Sequence, residues 1–550
     1  MPRIKKSKIF LIILVFFATC WTAQALPIFK HKESKTLSLT KATSPGKTLY
    51  VDTYSANLTI TTGNENQAVV EADIEVADDD EEIVKFFLAE TKISLEPYAD
   101  GLRLRLISPM DEFRKRGKPP KRGIYRKFYR GNKIIIKISY TANLTVRIPS
   151  RQSLQINNSY GNIRIGGING HLQIVNRSGK VRMDQCRGEL ILTNSYDPVE
   201  IPEFNGPVNI KNSNGKVDLG TVDGDALIEN SYNPVLFKSI NGKLTILSKS
   251  AKVEGKDVEG DCEITSSYEK IDIRDVKGRL VVKGPSCKVV ADNITKEAEI
   301  ENSYNPLTIT RVGGGLRVLS KSGSVTAEDI GGDIFIRSSY DKVTVSKIHG
   351  SVEIDSPSSE VSVHDIEGNA SIVSSYNNVA VSDVDGWLDV RSKSAGIKAT
   401  DIKKSASIVT SYNRVEALRI GGDLKIDASS SSVLAEDVAG NVDVKNSYES
   451  VVLRGTSGSI QVKGDSSRIE IDQINALPGG SRIELITTYD PVTLCLPDGL
   501  DYFISVFPKG EISSYLPVHL VKSQDEARKK ELTGKGIPVY IETNGNIRIK

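Results

Sequence analysis

The sequence is poor in aromatic residues and, beyond its first residues, has no apolar run long enough to cross a bilayer. Aromatic residues make up 6% of the 550 residues, whereas 39% are apolar. The lack of long apolar runs excludes a multi-span membrane protein. The apolar fraction is too high, and too regularly placed, for a disordered chain.

Cysteine is also scarce. After Cys20, the chain contains only Cys186, Cys262, Cys287 and Cys495. Their spacing matches neither a zinc-binding pattern nor a small disulfide scaffold. Cys186 and Cys262 fall at apolar positions of the repeat described below, so we interpret them as small hydrophobic core residues. Whether any pair is oxidised stays open at this point.

Motifs of catalysis are missing as well. The sequence has no metal-binding pair of histidines, no nucleophile elbow and no phosphate-binding loop, since Gly46-Lys47-Thr48 lacks the upstream glycine. The histidines are scattered along the chain: His31, His171, His349, His364 and His519. We therefore predict no enzyme, no cofactor and no metal ion.

The first 25 residues have the organisation of a signal peptide. Four basic residues (Arg3, Lys5, Lys6 and Lys8) precede the apolar stretch Ile9–Phe17, and Ala23-Gln24-Ala25 supplies the small residues of a cleavage site. The alternatives, an uncleaved anchor or a lipoprotein at Cys20, fit less well, because the stretch is short and Phe17-Ala18-Thr19 lacks the small residue before cysteine. The sequence predicts export to the periplasm, the cell surface or the medium.

Removal of this segment leaves a nearly neutral chain with one basic region. The whole chain carries +3 and the signal +4, so the remainder carries about −1. Residues 110–133 contain ten Lys or Arg against Asp111 and Glu112. In an exported protein such a segment predicts contact with acidic glycans, lipid head groups or an acidic protein, not with nucleic acid; the alternative is a solvated loop. The candidate residues are Arg114, Lys115, Arg116, Lys118, Lys121, Arg122, Arg126, Lys127 and Arg130.

What the sequence does contain is a long internal repeat. Nine tyrosines follow one another at intervals of 36 residues, and Tyr489 follows after 41 because of an insertion around Ala476–Gly480. The nine are Tyr160, Tyr196, Tyr232, Tyr268, Tyr304, Tyr340, Tyr376, Tyr412 and Tyr448. A repeat of this length predicts a solenoid, in which each unit packs only on its neighbours.

Each 36-residue unit divides into two coils of 18 residues. Three residues after each Tyr, and again 18 further on, the residue is Val, Ile or Leu at nineteen positions from Ile163 to Val492. We call this set the branched column. Apolar residues recur 2, 5, 9 and 11 positions later, and a glycine usually stands at position 7. The period-2 pairs indicate strands with one buried face. The unequal spacings exclude a hexapeptide helix and predict an all-β solenoid of about nineteen coils, with its handedness open.

Two further columns concern the turns. Small residues alternate with the tyrosines, such as Cys287 and Gly323 around Tyr304, which favours packing of each ring over its small neighbours. The alternative is an exposed recognition ladder whose binding residues would include Tyr196, Tyr232, Tyr268, Tyr304 and Tyr340. A recurring acidic column (Asp257, Asp329, Asp365, Asp401 and Asp437, with Asn293 in register) is expected to serve the turns, because its members lie about two coils apart.

Outside the repeat, the chain ends differ in pattern. We expect a signal peptide at 1–25, a β-rich cap at 26–157 that carries the basic insert 110–133, the solenoid at 158–496 and a second cap at 497–550. Caps are needed because the unpaired strands of an end coil would otherwise recruit other chains. Within the first cap, the acidic stretch Asp78–Glu90 favours a helix.

One family resemblance rests on the repeat motif. The pattern Gly-x-Leu-x-Ile…Ser-Gly-x-Val of Gly170–Val181, together with Asn57-Leu58-Thr59-Ile60 and the closing Asn544–Ile549, resembles the bacterial "putative-adhesin" domains. The likeness covers roughly residues 50–550 and implies a β-solenoid without catalytic residues. The sequence thus predicts a non-enzymatic exported adhesin-like module. A carbohydrate-active β-helix enzyme and a periplasmic scaffold of an envelope regulatory system are the alternatives.

Overall fold

The computed structural model describes residues 29–114, 129–130, 133–134, 138–521 and 535–550, and no side chains within 112–137. The predicted signal peptide and the side chains of the basic insert lie outside this description. Nearly all of the described chain is β-strand, stacked as parallel coils into a β-solenoid of about 20 turns. The predicted fold class is therefore confirmed.

Each coil of 18 residues contributes two strands. The first starts at the branched column, as in Val217–Val222, and these strands form sheet A; the second, as in Ala226–Asn230, belongs to sheet B. Val217 pairs in parallel with the residues 18 positions before and after it. The register changes only at the insertion, where Ile460 pairs with Ile483.

The strands of the two sheets follow the repeat. Sheet A contains Asn57–Thr62, Ile163–Gly166, Val181–Asp184, Val199–Asn205, Val217–Val222, Val235–Ile240, Val253–Val258, Lys270–Val276, Lys288–Ile294, Leu307–Val312, Val325–Ile330, Val343–Ile348, Val361–Ile366, Val379–Val384, Ile397–Ile402, Val451–Arg454, Ile469–Ile471 and Val492–Leu494. Sheet B contains Thr48–Ser55, Ser153–Tyr160, Asn169–Ser178, Cys186–Asn194, Val208–Asn212, Ala226–Asn230, Leu244–Ser248, Cys262–Thr265, Leu280–Gly284, Ala298–Asn302, Leu316–Leu319, Ile334–Arg337, Val352–Ser356, Ala370–Ser374, Leu388–Arg391, Val442–Asn446, Ile460–Gly464 and Ile483–Ile486. Two strands, Ala406–Ile420 and Leu424–Val438, run continuously through both sheets.

The core is continuous along the rod. All nineteen residues of the branched column are at most 2% exposed, and one hydrophobic cluster extends from Leu49 to Ile549. Burial alternates along each strand because successive side chains point to opposite faces of a sheet. Cys186 and Cys262 lie in this core, as the sequence predicts.

The bend between sheet A and sheet B depends on backbone geometry. The residue four positions after the branched column has a positive φ, between +54° and +63°, in every coil from Asp257 to Asp437. Asp and Asn adopt this left-handed conformation more readily than other non-glycine residues. The recurring aspartates therefore serve the bend, as expected. A Cβ at Gly260 would lie 2.6 Å from the carbonyl oxygen of Gly242, so glycine is required there by the close approach of successive coils.

The stack begins earlier than the predicted boundary at residue 158. Thr48–Ser55 pairs in parallel with Ser153–Tyr160, and Asn57–Thr62 pairs with Ile163–Gly166, so residues 48–62 form a coil of the solenoid. The 90 residues that follow interrupt the repeat and hide this coil in the sequence. They return to cover its other edge through Gly101–Ile107 and Ser139–Ile148.

The rest of the first cap packs on this end. Its remaining elements are the strands His31–Ala42, Gln67–Asp78, Lys92–Tyr98, Tyr129–Arg130 and Lys133–Ile134, an α-helix at Glu81–Glu90 and a 3-10 helix at Pro109–Arg114. The α-helix confirms the prediction for this stretch. Asp80 caps it by accepting a hydrogen bond from the Glu82 amide, and Ile83, Val84 and Phe87 are buried on one face.

The opposite end is interleaved in a similar way. Ile537–Thr543 pairs with Ile483–Ile486 on one side and with Tyr502–Pro508 on the other, and Ile547–Ile549 lies between Val492–Leu494 and Ile512–Ser514. The last coil in the sequence is therefore the penultimate coil in space. The other short strands here are Thr456–Ser457, Ile474–Ala476 and Val518–Leu520.

Burial of the branched column predicts the effect of a charge. Val325→Asp places an unpaired carboxylate in the core and should destabilise the protein by several kcal/mol. Thr326→Asp, one residue further along and exposed, is the matched control and should change stability by less than about 0.5 kcal/mol. Thermal unfolding followed by circular dichroism measures both, and equal midpoints would contradict the burial of this column.

Burial also predicts thiol reactivity. Cys186, Cys262, Cys287 and Cys495 are free thiols, and burial raises the pKa of Cys262 to about 12 and that of Cys287 to about 11. Because the thiolate is the reactive form, these groups should resist modification near neutral pH. We expect a disulfide reagent to modify only half-buried Cys495 in the native protein and all four in denaturant. Rapid native modification of Cys262 would contradict this burial.

Candidate functional site

The tyrosines of the repeat lie on the turn that leads from sheet B to sheet A of the next coil. Each sheet B strand ends on a residue that faces the core, and the tyrosine follows two positions later. In Asn302-Ser303-Tyr304, Asn302 is 6% exposed and Tyr304 is 64% exposed. The strand alternation thus continues into the turn and directs the ring outward.

The inward residues form a ladder of buried polar side chains, which we call the asparagine ladder. Its buried members are Thr53, Asn158, Asn176, Asn194, Asn212, Asn230, Ser266, Asn302, Ser320, Ser338, Ser356, Ser374, Thr410 and Asn446. The sequence analysis missed this ladder, although the 18-residue spacing of five consecutive asparagines, from Asn158 to Asn230, would have revealed it.

The asparagines hold the turns by bridging two coils. Nδ2 of Asn302 donates to the carbonyl oxygen of Asn305 in its own turn at 2.8 Å and to that of Cys287 in the preceding coil at 2.9 Å. Asn446 makes the same pair of bonds, to Glu449 and Ser431. A buried carbonyl needs a donor, so each amide satisfies two turns at once.

The residue after the tyrosine adds a second bridge in several coils. The side chain of Asn305 donates to the carbonyl oxygen of Ser286 in the preceding coil at 2.7 Å, and Asn233 and Asn413 make equivalent bonds. The tyrosine is therefore held between two anchored positions. Its backbone is fixed while its ring remains outside.

The preference for packed tyrosines is wrong. The ten rings are between 42% exposed, at Tyr160, and 69% exposed, at Tyr489. The register also differs from the expected one by one residue, because Tyr160 pairs with Ser178 and Tyr412 with Ser430. The small neighbours, such as Cys287, face inward with the asparagine ladder, so they fill the space that the ring was expected to occupy.

The result is a regular surface, which we call the tyrosine column. Rings two coils apart are separated by about 9.6 Å along the rod. Between them lie the short polar residues Ser178, Asn214, Ser250, Ser286, Ser322, Ser358, Ser394, Ser430 and Ser466. In the described part of the chain, no hydrogen-bond partner is found for the hydroxyl groups from Tyr196 to Tyr489. Exposed faces and free hydroxyls are available to a ligand along this whole surface.

The other candidates from the sequence are placed as follows. Tyr196, Tyr232, Tyr268, Tyr304 and Tyr340 lie together in the tyrosine column. The basic candidates Arg114–Arg130 lie where no side chains are described, so their role stays a prediction. Within the described ranges, no group of three or more His, Cys, Asp or Glu side chains could hold a metal ion, and no helix is long and apolar enough to span a membrane.

Comparisons with known proteins give little beyond this. No protein-family model and no curated protein matches the chain. Among solved structures, the chain is similar to the crystal structure of a "putative cell adhesion protein" from Clostridium sporogenes ATCC 15579, with 12% identity, 47% of this chain and 99% of the neighbour covered, and a TM-score of 0.18. A TM-score this low does not establish a shared fold, and the neighbour's role does not transfer to this chain.

The hydrogen bonds of the asparagine ladder predict a difference between two of its members. Asn302→Ala leaves two buried carbonyl groups without this donor and should destabilise the protein by about 1–3 kcal/mol. Ser338 occupies the equivalent position 36 residues later, but its buried hydroxyl has no partner among the described residues. Ser338→Ala should therefore be neutral or slightly stabilising. Denaturant unfolding of both variants tests the ladder, and equal effects would contradict it.

Proposed function

We propose that this protein is an exported, non-enzymatic adhesin-like module that presents the tyrosine column to an extended surface ligand. The observation that carries the proposal is the exposure of ten tyrosines at one position of the repeat. The turn is closed by the asparagine ladder, so the fold does not require an aromatic ring outside it. A large side chain kept outward in every second coil is explained by contact with something beyond the chain.

A long array suits weak, repeated contacts. One exposed tyrosine contributes little, but rings at a constant spacing act together when a single polymer contacts several of them. The effective concentration at the second ring then far exceeds the concentration of ligand in solution. Suitable ligands are therefore extended chains at a cell surface, namely a glycan or a fibrous protein.

The absence of a catalytic role is part of the proposal. The recurring aspartates, which motivate a carbohydrate-active enzyme, adopt the left-handed conformation at the bend on the opposite side of sheet A from the tyrosine turn. Asp401 also accepts two hydrogen bonds from Arg419, at 2.6 and 2.7 Å, and this contact lowers the pKa of the carboxyl group. Ionised and occupied by structural contacts, such groups are poorly suited to protonate a leaving group.

The tyrosine column predicts that binding and stability can be separated. In Tyr232→Ala/Tyr268→Ala/Tyr304→Ala, each truncation should change stability by no more than about 0.5 kcal/mol, because the rings are exposed. Binding to washed bacterial cells and to a glycan array should fall by tenfold or more. Restoring the rings as Phe should recover the part of the binding that depends on stacking.

A matched control removes three exposed apolar side chains from the outer face of sheet B, as Val175→Ala/Leu247→Ala/Val409→Ala. This variant should bind as the unchanged protein does. Equal binding by both triple variants, or strong destabilisation by the tyrosine triple, would contradict the proposal. Fractionation with surface protease treatment tests export and separates the cell surface from the periplasm.

A further inference from the structure

A second surface breaks the repeat on the outer face of sheet B. A depression of about 490 Å³ crosses successive coils between Arg279 and Trp387. It lies on a different face from the tyrosine turns, since it is formed by the outward side chains of the sheet B strands. Gly315, which has no side chain, widens it beside Arg317 and Phe335.

Two aromatic residues stand in this depression. The Arg317 guanidinium lies 4.6 Å from the centre of the Phe335 ring, and that of Arg337 lies 5.6 Å from it. Trp387 is 43% exposed and is one of two tryptophans in the chain, the other being Trp21. Neither ring is needed to close the core, because both are on the solvent side of the sheet.

The backbone that carries Trp387 is held by a ladder of side chains. The Ser351 amide donates to Asp333, the Asn369 amide to the hydroxyl of Ser351, and the Trp387 amide to Oδ1 of Asn369 at 3.1 Å. These short residues form a polar floor between the two rings, with Glu353 and Ser371 beside them. Phe335 and Trp387 lie three coils apart, which corresponds to about 14 Å along the rod.

The chemistry of the depression excludes two kinds of ligand. A peptide cannot add as a strand, because the backbone groups of each sheet B strand here are used by the coils on both sides. A polyanion is disfavoured, because the carboxylates of Glu297, Glu299, Asp333 and Glu353 outnumber the guanidinium groups of Arg279 and Arg317. Moreover, Arg279 is already paired with Glu299.

We propose that this depression binds a neutral, unbranched oligosaccharide that lies along the rod between Phe335 and Trp387. Sugar rings present apolar C–H faces that stack on aromatic rings, and their hydroxyl groups hydrogen-bond to short polar side chains. The two rings supply the platforms, and Ser351, Glu353, Asn369 and Ser371 supply the polar partners. This site is independent of the tyrosine column and of the function proposed for it.

Trp387 itself reports on binding. In the full chain carrying Trp21→Phe, Trp387 is the only tryptophan, so its fluorescence reads out this site. We expect a saturable shift or quenching of its emission with at least one of cellohexaose, chitohexaose, mannohexaose and maltohexaose. A hexamer of galacturonic acid should bind more weakly than that neutral sugar.

Two variants and one control make the test specific. Phe335→Ala should raise the Kd about tenfold through loss of one stacking platform. Glu353→Gln keeps the shape and should also weaken binding, and its folding is not at risk because the side chain is exposed. Leu227→Ala, at the same outward position six coils earlier, should leave the Kd within twofold.

The possible results are distinguishable. No saturable response to any neutral hexamer, tighter binding of the acidic hexamer, or an unchanged Kd in both Phe335→Ala and Glu353→Gln would overturn the proposal. The tyrosine triple variant should keep the Trp387 response. Failure at this site therefore leaves the tyrosine column untouched, and failure of the column leaves this site untouched.

Discussion

Every coil is hydrogen-bonded to the next one at the same position of the repeat, and this constraint determines the character of each position. A side chain has as its nearest neighbours the side chains 18 residues before and after it. Inward positions must then stack apolar on apolar, or amide on carbonyl, over the whole length of the rod. Outward positions are released from packing, so whatever occurs there repeatedly becomes a periodic surface.

The two bends of the coil meet this constraint by different means. One bend relies on the backbone, with left-handed residues such as Asp401 in each coil. The other relies on side chains, since amides such as that of Asn302 close the turn from inside. Because the second bend is closed from within, its outer side can carry tyrosines without loss of core. The binding surface is thus a by-product of how the turn is satisfied.

Much of this was predictable from the sequence, and the failures have physical reasons. The branched column and the core position of Cys262 follow from period-2 and 18-residue spacing, which report burial directly. The direction of Tyr304 does not follow from spacing, because it depends on which turn residues fill the inside. The coil at residues 48–62 was assigned to a cap, since its sequence neighbours in the stack lie 90 residues away. Trp387 stood out in composition, but only the stacked coils place it near Phe335.

The interleaved ends bear on how the rod is assembled. Interior coils can add one after another, because each contacts only its neighbours. At the distal end, Tyr502–Pro508 can reach its final partner only after Ile537–Thr543 has entered the gap beside Ile483–Ile486. A chain that emerges in order from its amino end therefore cannot finish in that order. The last step closes a loop over the outer coil, so completion of the rod is slower than its growth and locks the terminal edge from within.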